Sequence, residues 1–319
     1  MAGGGLDEHK PVLVAEVLAA LAVRPAGQYV DATYGRGGHS ERILDALGPQ
    51  GRLVAIDRDR EAIAAGRARF ASEGRITFVH GAFGELAALL RAAHPQCLVY
   101  DGILIDCGVS SPQLDNAARG FSFQKDGPLD MRMDPQRGEP VSDWLARATF
   151  EEMRNVIASF GQERFARRIA SAIERERAKA PLTRTAQLAT LIQRAVPMRE
   201  PGKHPATRTF QALRMMINDE LGQLQRALEQ SLTLLATGGR LAVISFHSLE
   251  DGVVRDFFAK HSNVDPALAR LPVVPVTALP RLRRIGRKQR ASASEVALNP
   301  RARSALLRVA EFLGPVTTK

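Results

Sequence analysis

The segment Asp31-Ala32-Thr33-Tyr34-Gly35-Arg36-Gly37-Gly38-His39-Ser40 crowds three glycines into four residues between an apolar run and a helical pattern. Further on, Ala55-Ile56-Asp57 ends a second apolar run in an acid. Glycines at a strand-to-helix turn let backbone approach a ligand without a Cβ in the way. An acid ending the next strand accepts hydrogen bonds from both hydroxyls of a ribose. Together these are the parts of a nucleoside site in a doubly wound α/β domain. The spacing is not G-x-G-x-x-G, because Ser40 stands where the third glycine of a pyrophosphate turn belongs. That counts against a dinucleotide. Asp31, Asp57 and Asp106 all end apolar runs, so they come to the carboxyl edge of one sheet, where ligands of open α/β sheets bind. A ring of carboxylates suits a cation and repels a pyrophosphate. S-adenosylmethionine, a nucleoside carrying a sulfonium, fits both requirements. The competing reading is that each aspartate only caps the helix that follows it.

Asp106-Cys107-Gly108-Val109-Ser110-Ser111-Pro112-Gln113 occupies the next strand end. The exocyclic amine of a base has its lone pair delocalised into the ring, and acceptors on its hydrogens localise that pair for attack on a methyl group. Asp106, Ser110 and Ser111 are of the right type, although serines before Pro112 also suit a turn. Cys107 opens a different chemistry, a thiolate adding to a pyrimidine ring for carbon methylation. A cysteine there is also a small buried hydrophobe. His39 either touches a ligand or caps the helix after the turn. His247, in Ser245-Phe246-His247-Ser248, follows a later apolar run and faces the same crevice. His80 and His94 read as structural, and no metal site is expected from the spacing of two cysteines and seven histidines.

These residues need a scaffold, and the periodicities supply one. Strands are expected over 28–32, 52–57, 76–80 and 99–105, with helices over 40–47, 60–70 and 86–93 between them. Such alternation implies a parallel sheet with right-handed crossovers, covered on both faces. The pattern breaks over 110–139, where Gly120, Gly127, Pro128, Pro135 and Gly138 leave little periodicity. A long irregular segment of this kind is functional or disordered. Helical spacing then governs 150–160, 163–177 and 185–196. Phe210, Leu213, Met216, Ile217, Leu221, Leu224, Leu228 and Leu235 form an apolar stripe, interrupted once, that reads as core. A fifth strand is expected over 239–246, a helix over 249–261 and a last strand over 304–312. A helical insertion thus splits one α/β domain, with expected bounds of 1–112 and 226–319 for the α/β part and 113–225 for the insertion.

Composition bounds the partners. The 319 residues carry 24% charged and 45% hydrophobic side chains, ordinary for a globular chain, but a net charge of +10. Such an excess suits a polyanion, most simply a nucleic acid. A proteome that merely favours arginine would give the same excess. Arg281, Arg283, Arg284, Arg287, Lys288 and Arg290 fall within one stretch, a candidate phosphate clamp. Two cysteines argue against a disulfide scaffold and fit a reducing compartment. No apolar core follows Met1 to Gly5 and no run approaches membrane-spanning length, so neither a secretory leader nor a membrane partner is expected.

Longer motifs narrow the reading. His9-Lys10-Pro11-Val12-Leu13, Asp31 to Ser40, Asp106 to Asp115, Arg119-Gly120-Phe121-Ser122-Phe123, Gly127 to Asp134, His204 to Arg214, Ser245 to Asp251 and Asn299 to Ser304 are all present. With them the chain resembles the bacterial 16S ribosomal RNA cytosine-N4 methyltransferases, over about residues 9 to 312. The resemblance implies a class I methyltransferase, a Rossmann-like doubly wound α/β sheet with an inserted helical substrate-recognition domain. It implies S-adenosyl-L-methionine as cofactor and the N4 amine of a decoding-centre cytidine of 16S rRNA as target. The small ribosomal subunit would be the partner and the cytoplasm the location. The cofactor contacts it implies are Gly37, Gly38, His39, Asp57, Phe83, Asp106 and Gln113. Phe83 comes from the resemblance alone and would stack beside the adenine. Asp106, Ser110, Ser111 and His247 are the candidate catalytic residues. Phe121 and Phe123 are candidates to wall a flipped base, and Arg132 to hold a phosphate beside it. Cys107 stands where the family is expected to carry an apolar residue. Two rivals remain: a pyrimidine-carbon methyltransferase using Cys107, and an RNA-binding ribosome-assembly factor without catalysis.

Overall fold

The structure is a computed structural model and describes residues 11–198, 202, 204–264 and 267–315. His9 and Lys10 of the first motif lie outside the described residues. The chain divides into two compact units, one formed by the chain up to Gly108 together with the chain from Leu221 onward, the other by Val109–Glu220. The insertion was expected over 113–225; both of its edges lie four or five residues earlier in the chain, at Gly108/Val109 and Glu220/Leu221.

In the first unit the strands are β1 (Gln28–Asp31), β2 (Arg52–Asp57), β3 (Ile76–His80), β4 (Tyr100–Asp106), β5 (Leu235–Ser245), β6 (Leu282–Arg284), β7 (Gln289–Arg290) and β8 (Leu306–Phe312). They form one eight-stranded sheet in the order β3-β2-β1-β4-β5-β8-β6, with β7 paired to β8. β1 to β5 are parallel and β8 runs antiparallel to β5. Strand order reverses between β1 and β4, which is the switch point where an open α/β sheet binds its ligand. The helices are α1 (Val14–Leu21), α2 (Gly38–Ala46), α3 (Arg60–Arg69), α4 (Leu86–Ala93), α11 (Glu220–Leu234), α12 (Ser248–Ser262) and α13 (Ala293–Leu298), numbered along the whole chain.

Alternation along the strands feeds two cores, one on each face. Val30, Val54, Ile103 and Val243 meet Leu86, Leu90, Leu224, Leu228 and Phe258 on one side. Tyr29, Leu53, Leu104 and Ala242 meet Val17, Leu21, Ile43 and Leu44 on the other. The near-continuous apolar strands follow from that double coverage. The sequence reading did not anticipate α1, β6 and β7. The last two lie inside the basic run, where alternating charge hides a short edge ladder.

The second unit holds α5 (Ser111–Asp115), α6 (Val141–Arg147), α7 (Phe150–Gly161), α8 (Ala166–Arg177), α9 (Thr185–Ala195) and α10 (Thr207–Ile217) around a core of its own that includes Trp144, Ile157, Ile169, Leu188 and Leu213. The irregular segment before α6 is ordered. Arg119, 8% exposed, donates to the Met133 carbonyl (2.8 Å). Asn218, 1% exposed, donates to the Met131 carbonyl (2.8 Å), and its Oδ1 accepts the Met133 N–H (2.9 Å). Gly120 has φ +72°, and a Cβ there would fall 2.2 Å from the Pro128 carbonyl oxygen, so no side chain fits. The break in the long apolar stripe is explained as well. α10 ends at Ile217 with Asn218 as its C-cap, Asp219 turns with φ 49°, and α11 begins at Glu220.

Candidate active site

The glycine turn leaves β1 at the switch point. Gly35 has φ 55° and Gly37 φ 76°, both left-handed. A Cβ on Gly37 would lie 2.5 Å from the Tyr34 hydroxyl, and one on Gly38 2.7 Å from the Pro11 ring. The cradle therefore exists only with glycine at these positions. Gly37 is the N-cap of α2, so His39 sits in the first turn and is not the cap. His39 is buried, with Nε2 3.6 Å from Asp106 Oδ2.

Asp57 ends β2. Its two oxygens accept the backbone N–H groups of Gly35 and Asp59, each at 2.7 Å, which fixes the carboxylate against the turn. Burial raises its pKa to about 6, with Asp59 and Asp31 adding like-charge repulsion. Asp31 is different from the other two strand-end acids. It is 1% exposed and tied to Ser40 Oγ (2.7 Å) and the Thr33 N–H (3.1 Å), so it clasps β1 to α2 from inside. Burial raises its pKa to about 6 also.

Asp106 ends β4. Its backbone N–H donates to Thr33 Oγ1 (2.7 Å), which pins the ends of β1 and β4 together. Its Oδ1 is buried and has no hydrogen-bond partner among the described residues. Burial pushes its pKa well above the usual carboxylate range, reinforced by Asp31 and Glu250. A buried carboxylate oxygen left open costs free energy unless a ligand donor meets it. Glycine cradle, fixed Asp57 and open Asp106 all stand at the carboxyl edge of adjacent parallel strands. They suit a ribose, a close-packed methionine portion and a positive charge, which fits S-adenosylmethionine.

Phe83 opens a 3-10 turn after β3, half-buried against one core. Two glutamines of α11 hold that turn. Gln223 Oε1 accepts the Gly84 N–H (2.9 Å), while Gln230 donates to the Gly84 carbonyl (2.7 Å) and accepts the Ala87 N–H (2.7 Å). Thr33, Gln223 and Gln230 escaped the sequence reading. Thr33 carried a weak signal, two residues past a strand-end acid; the glutamines carried none, being far away in the chain.

Several expected site residues have other occupations. His247 is the N-cap of α12. Its Nδ1 accepts the Glu250 N–H (3.3 Å), its Nε2 lies 3.0 Å from Glu250 Oε1, and Glu250 in turn accepts the Phe246 N–H (2.8 Å). As N-cap, His247 shapes the turn after β5. Cys107 is 5% exposed within the apolar core, which gives a ring-attacking thiolate no access. Arg132 is not free to hold a phosphate, because it pairs with both oxygens of Asp130 at 2.7 and 2.8 Å. Phe121 is 5% exposed in the core of the second unit and so walls no base. Phe123 is half-buried, stacked on His204 at 4.5 Å and edge-on to Phe210 at 5.0 Å. Ser110, Ser111 and Gln113 belong to the second unit at the start of α5. There the Ser110 N–H donates to Gln113 Oε1 (3.0 Å), and Ser111 and Gln113 are buried. No helix among the described residues is long and apolar enough to cross a membrane.

Comparison with known proteins agrees with this chemistry. The model of the MraW methylase family matches residues 7–313. A protein of Halorhodospira halophila named ribosomal RNA small subunit methyltransferase H is 56% identical over 306 residues, covering 96% of this chain and 94% of that one. Its namesake from Thiobacillus denitrificans is 56% identical over 305 residues, covering 95% and 96%. Among solved structures, an rRNA methylase from Streptococcus thermophilus is similar at 11% identity with a TM-score of 0.43, covering 97% of this chain and all of that one.

Proposed function

The chain belongs to the MraW methylase family, and from that premise we propose that it transfers a methyl group from S-adenosylmethionine to the N4 amine of a decoding-centre cytidine in 16S rRNA. The observation that carries the reading is the buried, open Oδ1 of Asp106 beside the glycine cradle at the switch point. When bound, the cofactor supplies a methyl group activated by its sulfonium. Asp57 receives the ribose hydroxyls, because the Gly35 and Asp59 amides already hold its carboxylate in place. Gly37 and Gly38 leave room for the methionine portion, and Phe83 flanks the adenine. Asp106 faces the reacting end. Its Oδ1 accepts a hydrogen of the amine, which keeps the amine's lone pair from delocalising into the ring. Burial makes the same oxygen basic enough to take the proton that the amine loses. A cation held beside it returns Asp106 to the carboxylate form first. Ser110 and Ser111 are further candidate acceptors by their place in the chain. Gln113 is the remaining candidate cofactor contact. His39 and Thr33 orient Asp106, and His247 orients the turn after β5. Catalysis on this account is mostly positioning of amine and methyl.

Buried Cys107 disfavours carbon methylation, and Cys107→Ala should retain full activity. Transfer of labelled methyl from S-adenosylmethionine to undermethylated small subunits tests the whole reading. Label is expected at N4 of a cytidine. Label on ring carbon, or none, would overturn it.

A further inference from the structure

We infer that a groove between α8 and α9 of the second unit is a binding track for an RNA phosphate backbone. The groove encloses about 500 Å³ and is lined by Arg167, Arg168, Arg175 and Arg194, with Ser171 and Leu191 among its other walls. No acidic side chain among the described residues lines it. The acids of α8 are Glu174 and Glu176, and Glu176 pairs with Lys179 at 3.1 Å.

The other described arginines of this unit make the groove conspicuous. Arg132, Arg147, Arg154, Arg184 and Arg214 pair with carboxylates. Arg119, Arg177 and Arg208 donate to carbonyls, Arg164 lies over the Phe165 ring, and Arg137 is also engaged. The four groove arginines have no hydrogen-bond, ion-pair or ring partner among the described residues, and all four are exposed. Four like charges converging on one groove repel one another, and a bound polyanion removes that cost.

The side-chain type and the shape say which polyanion. Guanidinium forks match phosphate oxygens two at a time. Arg168 and Arg175 lie seven residues apart on α8, about 10 Å along its axis. Such a row follows a chain of phosphates and does not close on a single one. The proposal rests on the reading of an rRNA substrate, and it names a surface for that substrate distinct from the basic run at 281–290. That run is partly spent: Arg283 pairs with Glu311, and Arg281 donates to the Leu232 carbonyl (3.0 Å).

The test compares the full chain with a variant carrying Arg167→Gln, Arg168→Gln, Arg175→Gln and Arg194→Gln. The probe is 16S rRNA from undermethylated small subunits, bound over a range of salt concentrations. Each arginine–phosphate pair removed from a single strand should lower the slope of log affinity against log salt by roughly 0.7, so about 3 for the four. Affinity near physiological salt should weaken at least about tenfold, while S-adenosylmethionine affinity and melting temperature hold. The matching all-lysine variant should keep most of the slope, which a merely structural role would not predict. If the glutamine variant is poorly folded, Arg168→Gln and Arg175→Gln are measured singly, each expected to cost roughly 0.7. An unchanged slope in folded variants overturns the groove. So does displacement of the RNA from the wild-type chain by poly-glutamate at an equal concentration of charge. If the wild-type chain methylates the subunit RNA while the variants bind it unchanged, only the groove fails. If the wild-type chain neither binds nor methylates it, the rRNA reading itself fails.

Discussion

Asp57 braces the glycine turn through the Gly35 amide, and in the proposed function the same carboxylate takes a second job, offering its remaining lone pairs to a ribose. Each charge-assisted hydrogen bond is worth about 1.5–3 kcal/mol, so Asp57→Ala should weaken S-adenosylmethionine binding by roughly tenfold or more. Calorimetric titration of the folded variant checks this, and unchanged affinity would remove Asp57 from the site. The pKa of about 6 adds a signature. The carboxylate form binds the ribose, so below pH 6 binding must expel a proton. Wild-type affinity should therefore fall as pH drops through about 6, with proton release visible in buffers of different ionisation enthalpy. Asp57→Asn should bind weakly and show a shallower profile over the same range, since Asp106 still loses a proton on binding. Asp31 and Asp57 are indistinguishable in sequence, each an acid ending an apolar run. Only packing tells them apart: each carboxylate accepts two hydrogen bonds, but Asp31 is shut inside the fold by Ser40 and the Thr33 amide while Asp57 is only half-buried. His247 shows the same limit. A histidine after a strand is chemically apt for catalysis, and nothing local says that Glu250, three residues on, will occupy it.

At the level of elements, β2, β3 and α4 were legible to the residue, because a short apolar strand run and a short amphipathic helix leave different patterns. β6 and β7 were not, because Arg283, Arg284 and Arg290 read as loop charge, while pairing with β8 depends on residues remote in sequence. The irregular segment before α6 was visible only as an absence of pattern. Its order comes from buried polar groups, above all Asn218. Asn218→Ala would strand the Met133 N–H and the Met131 carbonyl, each costing about 1–3 kcal/mol. Asn218→Asp should cost at least as much, since its Oδ1 still accepts the Met133 N–H but its second oxygen meets the Met131 and Arg214 carbonyls with no donor between them. Denaturant unfolding of the two variants provides the check. A loss under about 0.5 kcal/mol for the alanine variant, the range of ordinary surface substitutions, would mean that the segment is held by something else. The same view explains Phe121, which sits in a conspicuous motif yet is core. Phe121→Ala should cost about 3–5 kcal/mol and leave the cofactor affinity of the folded fraction unchanged.

At the scale of the whole molecule, two sets of shifted carboxylates have opposite pH behaviour. Arg partners hold some below the usual range: Arg75 takes Glu73 to about 2, and Arg308 lowers Asp251. These contribute stability above the ordinary carboxylate pKa that is lost as pH falls through their lowered values. Asp31 and Asp57 are raised by burial to about 6. Through these two the folded chain holds more protons than the unfolded one between about pH 4 and 6, so stability falls as pH rises through that window, and Asp106, raised further, extends the fall above it. For Asp31, 1% exposed, the loss is on the order of 3 kcal/mol. The unliganded chain should therefore melt highest on the acid side, near pH 4 to 5, and lose melting temperature toward neutrality. Saturating S-adenosylmethionine should shrink that loss, since a bound ribose and sulfonium favour the ionised acids. Asp31→Asn should flatten the unliganded curve without abolishing cofactor binding. Melting curves from pH 3.5 to 7.5, with and without cofactor, decide the matter. A melting temperature that climbs steadily to neutrality without cofactor would mean that these acids are ionised and satisfied before any ligand arrives. The open edge of the sheet would then owe its carboxylates to packing and not to a cation.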